Sequence, residues 1–191
     1  MTTIKYINTI HIMSGVPGSG KSTFIKEHAT EGDIILCRDA WRDKWREAMR
    51  KLAGIDDYFP FDRQQEYKLW SAYVDEHIAV APKFGDIWID QTSCSLGALI
   101  KILKVISAAI NKLPTNRDYD ILIHIMETPY EECIRRNELR EGNAKVPDII
   151  IDRMWDSRKF SYKAVRKTVP ELCIDFDHIG ADGNVVKVLE A

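Results

Sequence analysis

A glycine-rich segment near the amino terminus has the composition of a phosphate-binding loop. Residues 15–22 read Gly-Val-Pro-Gly-Ser-Gly-Lys-Ser and fit the pattern G-x-x-x-x-G-K-[ST] without a mismatch. Glycines let the backbone turn its N–H groups inward, and these groups form a cradle for anionic oxygens with the N-terminus of a following helix. In this pattern Lys21 can reach the β- and γ-phosphates of a nucleotide, and Ser22 can ligate Mg²⁺.

The sequence around this loop supports nucleotide binding over a chance glycine-rich turn. An apolar run, Ile10–Met13, precedes the loop, and Lys21–His28 has the character of a helix. We therefore predict that ATP, or another nucleoside triphosphate, binds there with Mg²⁺. The predicted nucleotide-binding residues are Gly15, Val16, Pro17, Gly18, Ser19, Gly20, Lys21, Ser22 and Thr23.

A carboxylate follows the second apolar run. Ile34–Cys37 ends at Arg38-Asp39, and a phosphoryl acceptor needs a nearby carboxylate to orient its hydroxyl and take its proton. Asp39 is the candidate general base. A structural alternative is that Asp39 caps the helix that begins at Ala40, a role that does not exclude catalysis.

The helix after this carboxylate carries a row of arginines. Arg42, Arg46 and Arg50 recur every four residues on one face, a spacing that suits a phosphate-bearing substrate such as a nucleic acid strand. We favour a functional role for Arg42. For Arg46 and Arg50 we favour a solvated, ion-paired helix face. Trp41 and Trp45 could stack on bases, but residues at this spacing more often pack in a core.

Asp90 ends a third apolar run, Ile87–Ile89. A carboxylate at this position could support the magnesium shell, as a Walker B residue would, or position an arginine. The structural alternative is an ordinary turn residue at the end of a strand. We predict the functional role, in metal binding or at the substrate.

A basic helix end precedes a polar break. Arg136 and Arg140 lie on one face, and Gly142 supplies a plausible hinge. Mobile arginines can close over the negative charge that phosphoryl transfer spreads over the moving oxygens. We predict a small helical lid over about 136–147, although Glu132 could instead pair with Arg136 on a solvated helix.

Alternating elements must position these residues. The strand and helix pattern predicts an α/β fold of the P-loop NTPase class: a three-layer sandwich with a mostly parallel, five-stranded sheet and helices on both faces. The predicted strands are Ile10–Met13, Ile34–Cys37, Ile87–Ile89, Ile121–Met126 and Leu172–Phe176, with a short final strand at Val185–Leu189. Because ligands bind at the carboxyl ends of such strands, Gly15, Asp39, Asp90 and Glu127 should line one rim.

The bulk properties set few further limits. A length of 191 residues suits one domain, 1–191, and a formal net charge of −2 argues neither for nor against a nucleic acid partner. The four cysteines form no C-x-x-C pair, which favours free thiols. The chain has neither a run of about 18 apolar residues nor a secretory pattern, so we expect a cytoplasmic protein that does not enter a membrane.

These motifs together resemble the kinase domain of phage-type 5′-polynucleotide kinases, and more broadly are similar to zeta-toxin and small-molecule P-loop kinases. The resemblance extends from about Ile10 to Trp155. It is carried by the phosphate loop, by strand-end Arg38-Asp39 with Arg42, by strand-end Asp90, and by Pro129, Arg136-Asn137, Arg140 and Val146-Pro147.

The resemblance implies a role for each matching residue. Asp39 would be the general base, and Arg42 would contact the acceptor strand's phosphate. Lys21 and Arg140 would bind the donor phosphates, and Arg136 would be a second lid arginine. Ser22 would ligate magnesium, Asp90 would support the site, and Arg38 stands with Arg42 and Asp90 as a substrate-binding candidate. The chain departs from the pattern at Gln91-Thr92 and in the insert 54–60.

Three activities are consistent with these residues. The leading hypothesis is direct in-line transfer of the γ-phosphoryl group from ATP to the 5′-hydroxyl of a nucleic acid end. A kinase for a nucleoside, sugar or antibiotic would keep the donor half and change the acceptor pocket. A nucleotide switch without transfer activity would leave Asp39 as only a cap. The sequence does not distinguish DNA from RNA, ATP from GTP, or the oligomeric state.

Overall fold

The computed structural model describes residues 6–53, 63–81, 85–113 and 117–189, so the insert 54–60 lies outside the described residues. The strands and helices alternate along most of the chain. In order they are β1 (Tyr6–Ser14), α1 (Lys21–His28), β2 (Ile34–Cys37), α2 (Arg38–Ala53), α3 (Arg63–Val80), β3 (Ile87–Asp90), α4 (Leu96–Ile110), β4 (Arg117–Met126), α5 (Tyr130–Glu138), a 3₁₀ turn (Gly142–Ala144), α6 (Asp148–Ser157), α7 (Tyr162–Thr168), β5 (Ile174–Ile179) and β6 (Val185–Leu189).

The strands form one sheet in the order β2-β3-β1-β4-β5-β6. The first five pair in parallel, and β6 pairs antiparallel with β5 at the edge. The predicted α/β class and the five parallel strands are confirmed. The chain order reverses at β1, which has β3 on one side and β4 on the other, and such switch points place ligand sites at the carboxyl ends of the strands.

The larger core lies between the sheet and the helices α3 and α4. One face of β1 contributes Ile10 and Ile12, and α3 contributes Trp70, all fully buried. On α4 the fully buried residues recur at helical spacing: Leu99, Ile102, Leu103 and Ile106. Each such side chain contributes ~1.5–3 kcal/mol on burial. The apolar character of α4 therefore reflects its packing in this core.

The opposite face of the sheet is covered beside the phosphate loop by α1. Phe24 and Ile25 of α1 pack with Met13, Trp88 and Met126 from the strands. Because residues alternate between faces along a strand, Met13 points to this helix while its neighbour Ile12 joins the larger core. This packing anchors the helix that begins directly after the glycine-rich loop.

Several element boundaries differ from the prediction. The fifth strand runs over Ile174–Ile179, later than the predicted 172–176. Its polar residues Asp175, Asp177 and His178 interrupt the apolar run that the prediction followed. Helix α5 ends at Glu138, and Gly142 has a positive φ of 55° at the start of the 3₁₀ turn that follows. No helix in the part of the chain that the structure describes combines the length and apolarity needed to cross a membrane.

Candidate active site

The glycine-rich loop connects β1 to α1 and has the backbone of a cradle. Gly18 and Gly20 have φ values of 83° and 95°, a region that favours glycine. A Cβ at Gly18 would stand 2.2 Å from the carbonyl oxygen of Cys133, so the loop packs directly against α5. At Gly15 a Cβ would stand 2.5 Å from Ser19 Oγ. Close packing on the backbone of α5 therefore requires glycine at Gly18, whereas at Gly15 a Cβ would meet the side chains of Ser19 and Met126.

Lys21 lies inside this loop. Its Nζ donates hydrogen bonds of 2.9 Å to the carbonyl oxygens of Gly15 and Val16. Burial lowers the pKa of Lys21 below its usual value, an effect that the nearby Asp90 carboxylate partly opposes. The ammonium is thus held at the cradle by two backbone carbonyl groups, which phosphate oxygens could replace as partners.

The phosphate loop is joined to the end of β3 by one hydrogen bond. The hydroxyl of Ser22 donates to Oδ2 of Asp90 across 2.6 Å, and Asp90 is buried. A hydroxyl and a carboxylate are both hard oxygen ligands of the kind that Mg²⁺ prefers, and Mg²⁺ usually takes few protein ligands beside substrate phosphates. The pair therefore fits a magnesium ion. Among the described residues no group of three or more His, Cys, Asp or Glu side chains could hold a metal by itself.

Asp39 lies in the first turn of α2, because the helix begins at Arg38 and not at Ala40 as predicted. The capping alternative placed Asp39 before the first turn and is therefore wrong. Its side chain is 85% exposed and accepts a hydrogen bond of 2.8 Å from Nη1 of Arg42. The parallel register places Cys37, the residue before α2, beside Asp90, so both carboxylates stand at the carboxyl ends of neighbouring strands.

One cleft of about 420 Å³ brings together Lys21, Asp39 and Arg140, three of the four predicted catalytic residues, whereas Arg136 does not line it. It is bounded by the phosphate loop, the start of α2, the end of β3 and the segment after α5. Its predicted members are Pro17, Lys21, Ser22, Asp39, Arg42, Asp90 and Arg140, and its other lining residues include Arg46, Gln91, Thr92, Val146 and Met154. A molecule in this cleft can touch both the phosphate loop and Asp39.

The arginine row on α2 divides between the cleft and the solvent. Arg42 and Arg46 line the cleft, and Arg46 donates to Asp43 across 2.9 Å, whereas Arg50 is exposed. Trp41 is buried with a 6% exposed fraction, and Trp45 packs on the same core. The core interpretation of both tryptophans is therefore confirmed, although Trp45 is only partly buried.

Arg38 does not line this cleft, because it binds a residue that sequence reasoning missed. Its guanidinium contacts Glu66 at 3.0 Å, and Arg42 Nε donates to the same carboxylate oxygen across 2.7 Å. Glu66 lies in the first turn of α3, beyond the insert, and its contact with Arg42 spans 24 positions. No local pattern in the sequence indicates such a partner.

The predicted lid arginines lie around the phosphate loop. Arg136 donates from Nε to Glu132 across 2.6 Å and from Nη2 to the carbonyl oxygen of Ala181 across 3.4 Å. Arg140 donates to the carbonyl oxygen of Ala144 across 3.5 Å. The proposed pairing of Glu132 with Arg136 is thus present, and it leaves the guanidinium beside the loop.

A second cleft, of about 400 Å³, adjoins the other side of the phosphate loop. The turn between β5 and β6 forms one wall, and α1 and the lid arginines form the others. Its lining residues are Gly18, Ser19, Gly20, Thr23, Phe24, Glu27, Met126, Arg136, Arg140, Gly180, Ala181, Asp182 and Gly183. The sequence did not indicate that the turn at Asp182-Gly183 lies beside the phosphate loop. Arg140 lines both clefts and so lies between them.

Glu127, the fourth predicted rim residue, lines a third cleft together with Gly15. Its carboxylate shares a hydrogen bond of 2.5 Å with His178 Nδ1, and His178 Nε2 shares one of 2.8 Å with the hydroxyl of Tyr162. The rim prediction therefore holds for the strand ends, but the side chains divide between clefts. Asp39 and Asp90 share the acceptor side, and Glu127 does not line it.

Comparisons with known proteins agree with this fold. A family profile described as an AAA domain matches residues 10–161. A fungal RNA kinase superimposes with a TM-score of 0.57 at 11% identity, covering 92% of this chain and 75% of that one. A structure from the PezAT toxin–antitoxin system of Streptococcus pneumoniae gives 0.55 at 19% identity, with 95% and 71% covered.

A sugar kinase from Janibacter sp. has a TM-score of 0.53 at 13% identity, with 93% of this chain and 87% of that one covered. No curated protein sequence matches the chain. At such low identities the structural similarities concern the fold, which these proteins share although the RNA kinase and the sugar kinase are named for different acceptors.

Proposed function

The chain belongs to the AAA domain family, with the fold of P-loop kinases, and from this premise we propose that it transfers the γ-phosphoryl group of ATP to a hydroxyl acceptor. The observation that carries the proposal is the shared cleft. It contains Lys21 and Ser22 of the phosphate loop on one side and Asp39 on the other. A switch or motor needs the donor side alone, whereas a kinase needs a carboxylate across the gap.

The donor half of the site would hold the triphosphate. The backbone N–H groups of the loop and the Lys21 ammonium offer donors to the phosphate oxygens. Ser22 and Asp90 would hold Mg²⁺, which when bound neutralises charge on the phosphates. The base of the nucleotide would occupy the second cleft, between Arg136 and the turn at 180–183.

The acceptor half would prepare the hydroxyl. Asp39 would accept the proton of the hydroxyl as it attacks, and it stands in the same cleft as the phosphate loop. Arg42 contacts Asp39 and would orient the acceptor by donating to an anionic group on it. Arg140, which lines both clefts, would stabilise the charge that develops on the transferred oxygens.

Within this class we propose the 5′-hydroxyl of a nucleic acid end as the acceptor. Arg42 and Arg46 line the acceptor cleft from one helix face, at a spacing of four residues that could follow a phosphodiester backbone. The resemblance of the Arg38-Asp39-x-x-Arg42 segment to polynucleotide kinases supports the same acceptor. Bases would have to be held by groups other than Trp41 and Trp45, which pack in the core.

A small-molecule acceptor is the second candidate, and a specific observation favours it. The cleft arginines already have acidic partners: Arg46 pairs with Asp43, and Arg42 pairs with Asp39 and Glu66. Such pairing reduces the positive field that usually attracts nucleic acid. A cleft of about 420 Å³ is also large enough for a sugar or nucleoside.

A competition assay tests both the proposed phosphoryl transfer and the proposed nucleic acid acceptor. The enzyme receives γ-labelled ATP, Mg²⁺ and equal concentrations of a single-stranded 5′-hydroxyl oligonucleotide, a nucleoside and a hexose. Label on the oligonucleotide supports the nucleic acid acceptor, while label on the nucleoside or hexose alone rejects it and keeps the kinase. ATP hydrolysis or binding with no labelled acceptor would reject phosphoryl transfer to all three.

A further inference from the structure

Glu66 forms the buried centre of a partly exposed ion-pair cluster behind the acceptor cleft. Its side chain is 12% exposed, and its Oε1 accepts from Nε of Arg38 at 3.1 Å and from Nε of Arg42 at 2.7 Å. The two arginines lie one turn apart on α2, whereas Glu66 lies on α3. One carboxylate therefore holds two guanidinium groups that would otherwise repel each other.

The cluster continues to the candidate base. Arg42 binds Glu66 through Nε and Asp39 through Nη1, at 2.7 and 2.8 Å. A guanidinium is planar and rigid, so fixing the direction of Nε also fixes the direction of Nη1. The contact between Glu66 and Arg42 thus determines where Arg42 meets Asp39.

Asp39 needs such a constraint. Its side chain is 85% exposed, and in the described residues its hydrogen-bonding side-chain partner is Arg42, which binds Oδ1. An exposed carboxylate on a helix surface samples several rotamers, and ordering it costs entropy. The hydrogen bond from Arg42 to Oδ1 fixes the orientation of the carboxylate, so that Oδ2 can accept a hydrogen bond from an acceptor hydroxyl.

We propose that Glu66 is a positioning residue for phosphoryl transfer, acting through Arg42 on Asp39, an inference that rests on the function proposed above. It does not line the cleft and would not contact the substrate. Loss of its charge would free Arg42 to swing away from Asp39 and would leave Arg38 without its carboxylate partner. Acceptor binding and the transfer step would both weaken, while ATP binding at the phosphate loop would not.

A purely structural role predicts a different outcome. If Glu66 serves only to join α2 to α3, its loss would lower the melting temperature and would act independently of Arg42. Two residues that work through one contact have non-additive effects, whereas independent residues have effects that multiply. The combination with Arg42→Ala therefore separates the two roles.

The experiment uses the full chain with five variants: Glu66→Gln, Glu66→Asp, Arg42→Ala, the double variant of Glu66→Gln with Arg42→Ala, and Glu76→Gln as a control. Glu76 is an exposed residue of the same helix, so it receives the same chemical change away from the cluster. The measurements are kcat and KM for the acceptor, the Kd for ATP with Mg²⁺, and the melting temperature. Glu66→Asp, which keeps the charge, tests for partial rescue.

We expect Glu66→Gln to lower kcat/KM for the acceptor by ~10²-fold, to change the ATP Kd less than about threefold, and to add little to Arg42→Ala. Glu66→Asp should recover part of the loss. If the losses of the single variants multiply in the double variant, or if Glu66→Gln behaves like Glu76→Gln, the positioning role is overturned while the kinase activity stands. If the wild-type chain phosphorylates no acceptor, the proposed function fails and the positioning role fails with it.

Discussion

The hydroxyl of Ser22 donates a hydrogen bond of 2.6 Å to Oδ2 of Asp90, which joins the phosphate loop to the end of the neighbouring strand β3. Ser22 lies in helix α1, which connects β1 to β2, whereas Asp90 is the last residue of strand β3. The bond forms because β1 and β3 pair in parallel, so that their carboxyl ends meet at one edge. Under the proposed function, this hydroxyl and this carboxylate would hold Mg²⁺, which would supply charge neutralisation at the phosphates.

This pair leads to the first prediction. Asp90→Asn keeps the size of the side chain and removes the charge that supports the metal site. We expect the Mg²⁺ concentration for half-maximal turnover to rise ~10–100-fold, the usual range for losing a partner that supports a metal ligand. Titration of activity with Mg²⁺ at fixed ATP measures the effect. An unchanged titration curve would contradict the assignment of Asp90 to the metal site.

The second prediction concerns the candidate base. Asp39→Asn should lower kcat by ~10²-fold or more, the range for losing a general base, with little change in the Kd for ATP. Rapid-quench or steady-state transfer assays give kcat, and calorimetry gives the Kd. Glu47→Gln, an exposed acidic residue of the same helix that pairs with Lys51, is the matched control and should behave like the wild type. Equal transfer rates for both variants would leave Asp39 without a catalytic role.

The third prediction separates the two lid arginines. Arg140 lines both clefts, whereas Arg136 lines the cleft on the donor side. We expect Arg140→Ala to lower kcat by ~10²–10³-fold, since it removes a donor to the developing charge. Arg136→Ala should mainly raise the KM for ATP.

Arg135→Ala is the control for this pair, because Arg135 lies on the same helix, is largely exposed and binds Glu132. It should retain wild-type kinetics. A variant of Arg140 that changes the KM for ATP alone, with kcat intact, would place this arginine in ground-state binding and not in the transfer step.

The local parts of the site could be predicted from the sequence, and the contacts between distant segments could not. The phosphate loop is a continuous motif, and Asp39 and Asp90 each follow an apolar run, so a parallel sheet was enough to bring them to one edge. Glu66 escaped prediction because its contact with Arg42 depends on how α3 packs on α2. The second cleft was missed for the same reason. The turn at 180–183 is far from the phosphate loop in the sequence, and it lies beside the loop because β5 pairs within the sheet.

Element boundaries failed where polar residues lie within strands. In strand β5 the polar residues Asp175 and His178 lie between buried residues that include Phe176 and Ile179. The apolar run that ends at Phe176 therefore predicted only the first part of the strand. Strand β4 likewise begins at Arg117, before the apolar residues that predicted it. Hydrophobicity marks the buried part of a strand, while backbone pairing extends it beyond that part.

The fourth prediction follows from the environment of Lys21. Burial lowers its pKa in the free protein, and bound phosphates would raise it, so ATP binding should take up a proton at alkaline pH. The affinity for ATP should therefore fall as the pH rises through the lowered pKa of Lys21. Calorimetric Kd values between pH 7 and 10 measure the effect. Lys26→Gln, an exposed lysine of α1, should follow the wild-type curve, and a Kd independent of pH would contradict the role of Lys21.

The last prediction concerns stability and a histidine on the opposite face of the sheet from the main core. His124 is buried between Phe24 and Trp88 and shares a hydrogen bond of 2.9 Å with His11. Burial, together with His11 and His28, lowers the pKa of His124 from 6.5 to about 3. His124 is therefore uncharged in the folded protein at neutral pH.

The sign of the pH effect follows from this lowered pKa. Below pH 6.5 the unfolded chain binds a proton at His124 that the folded protein does not, so the free energy of unfolding should fall as the pH drops from 6.5 towards 3. The loss amounts to about 2 kcal/mol at pH 5. Urea unfolding of His124→Gln at pH 7 and pH 5 should show a smaller difference than the wild type by about that amount. His77→Gln, on α3, should keep the wild-type difference, and an equal difference in all three proteins would mean that His124 does not carry the acid sensitivity.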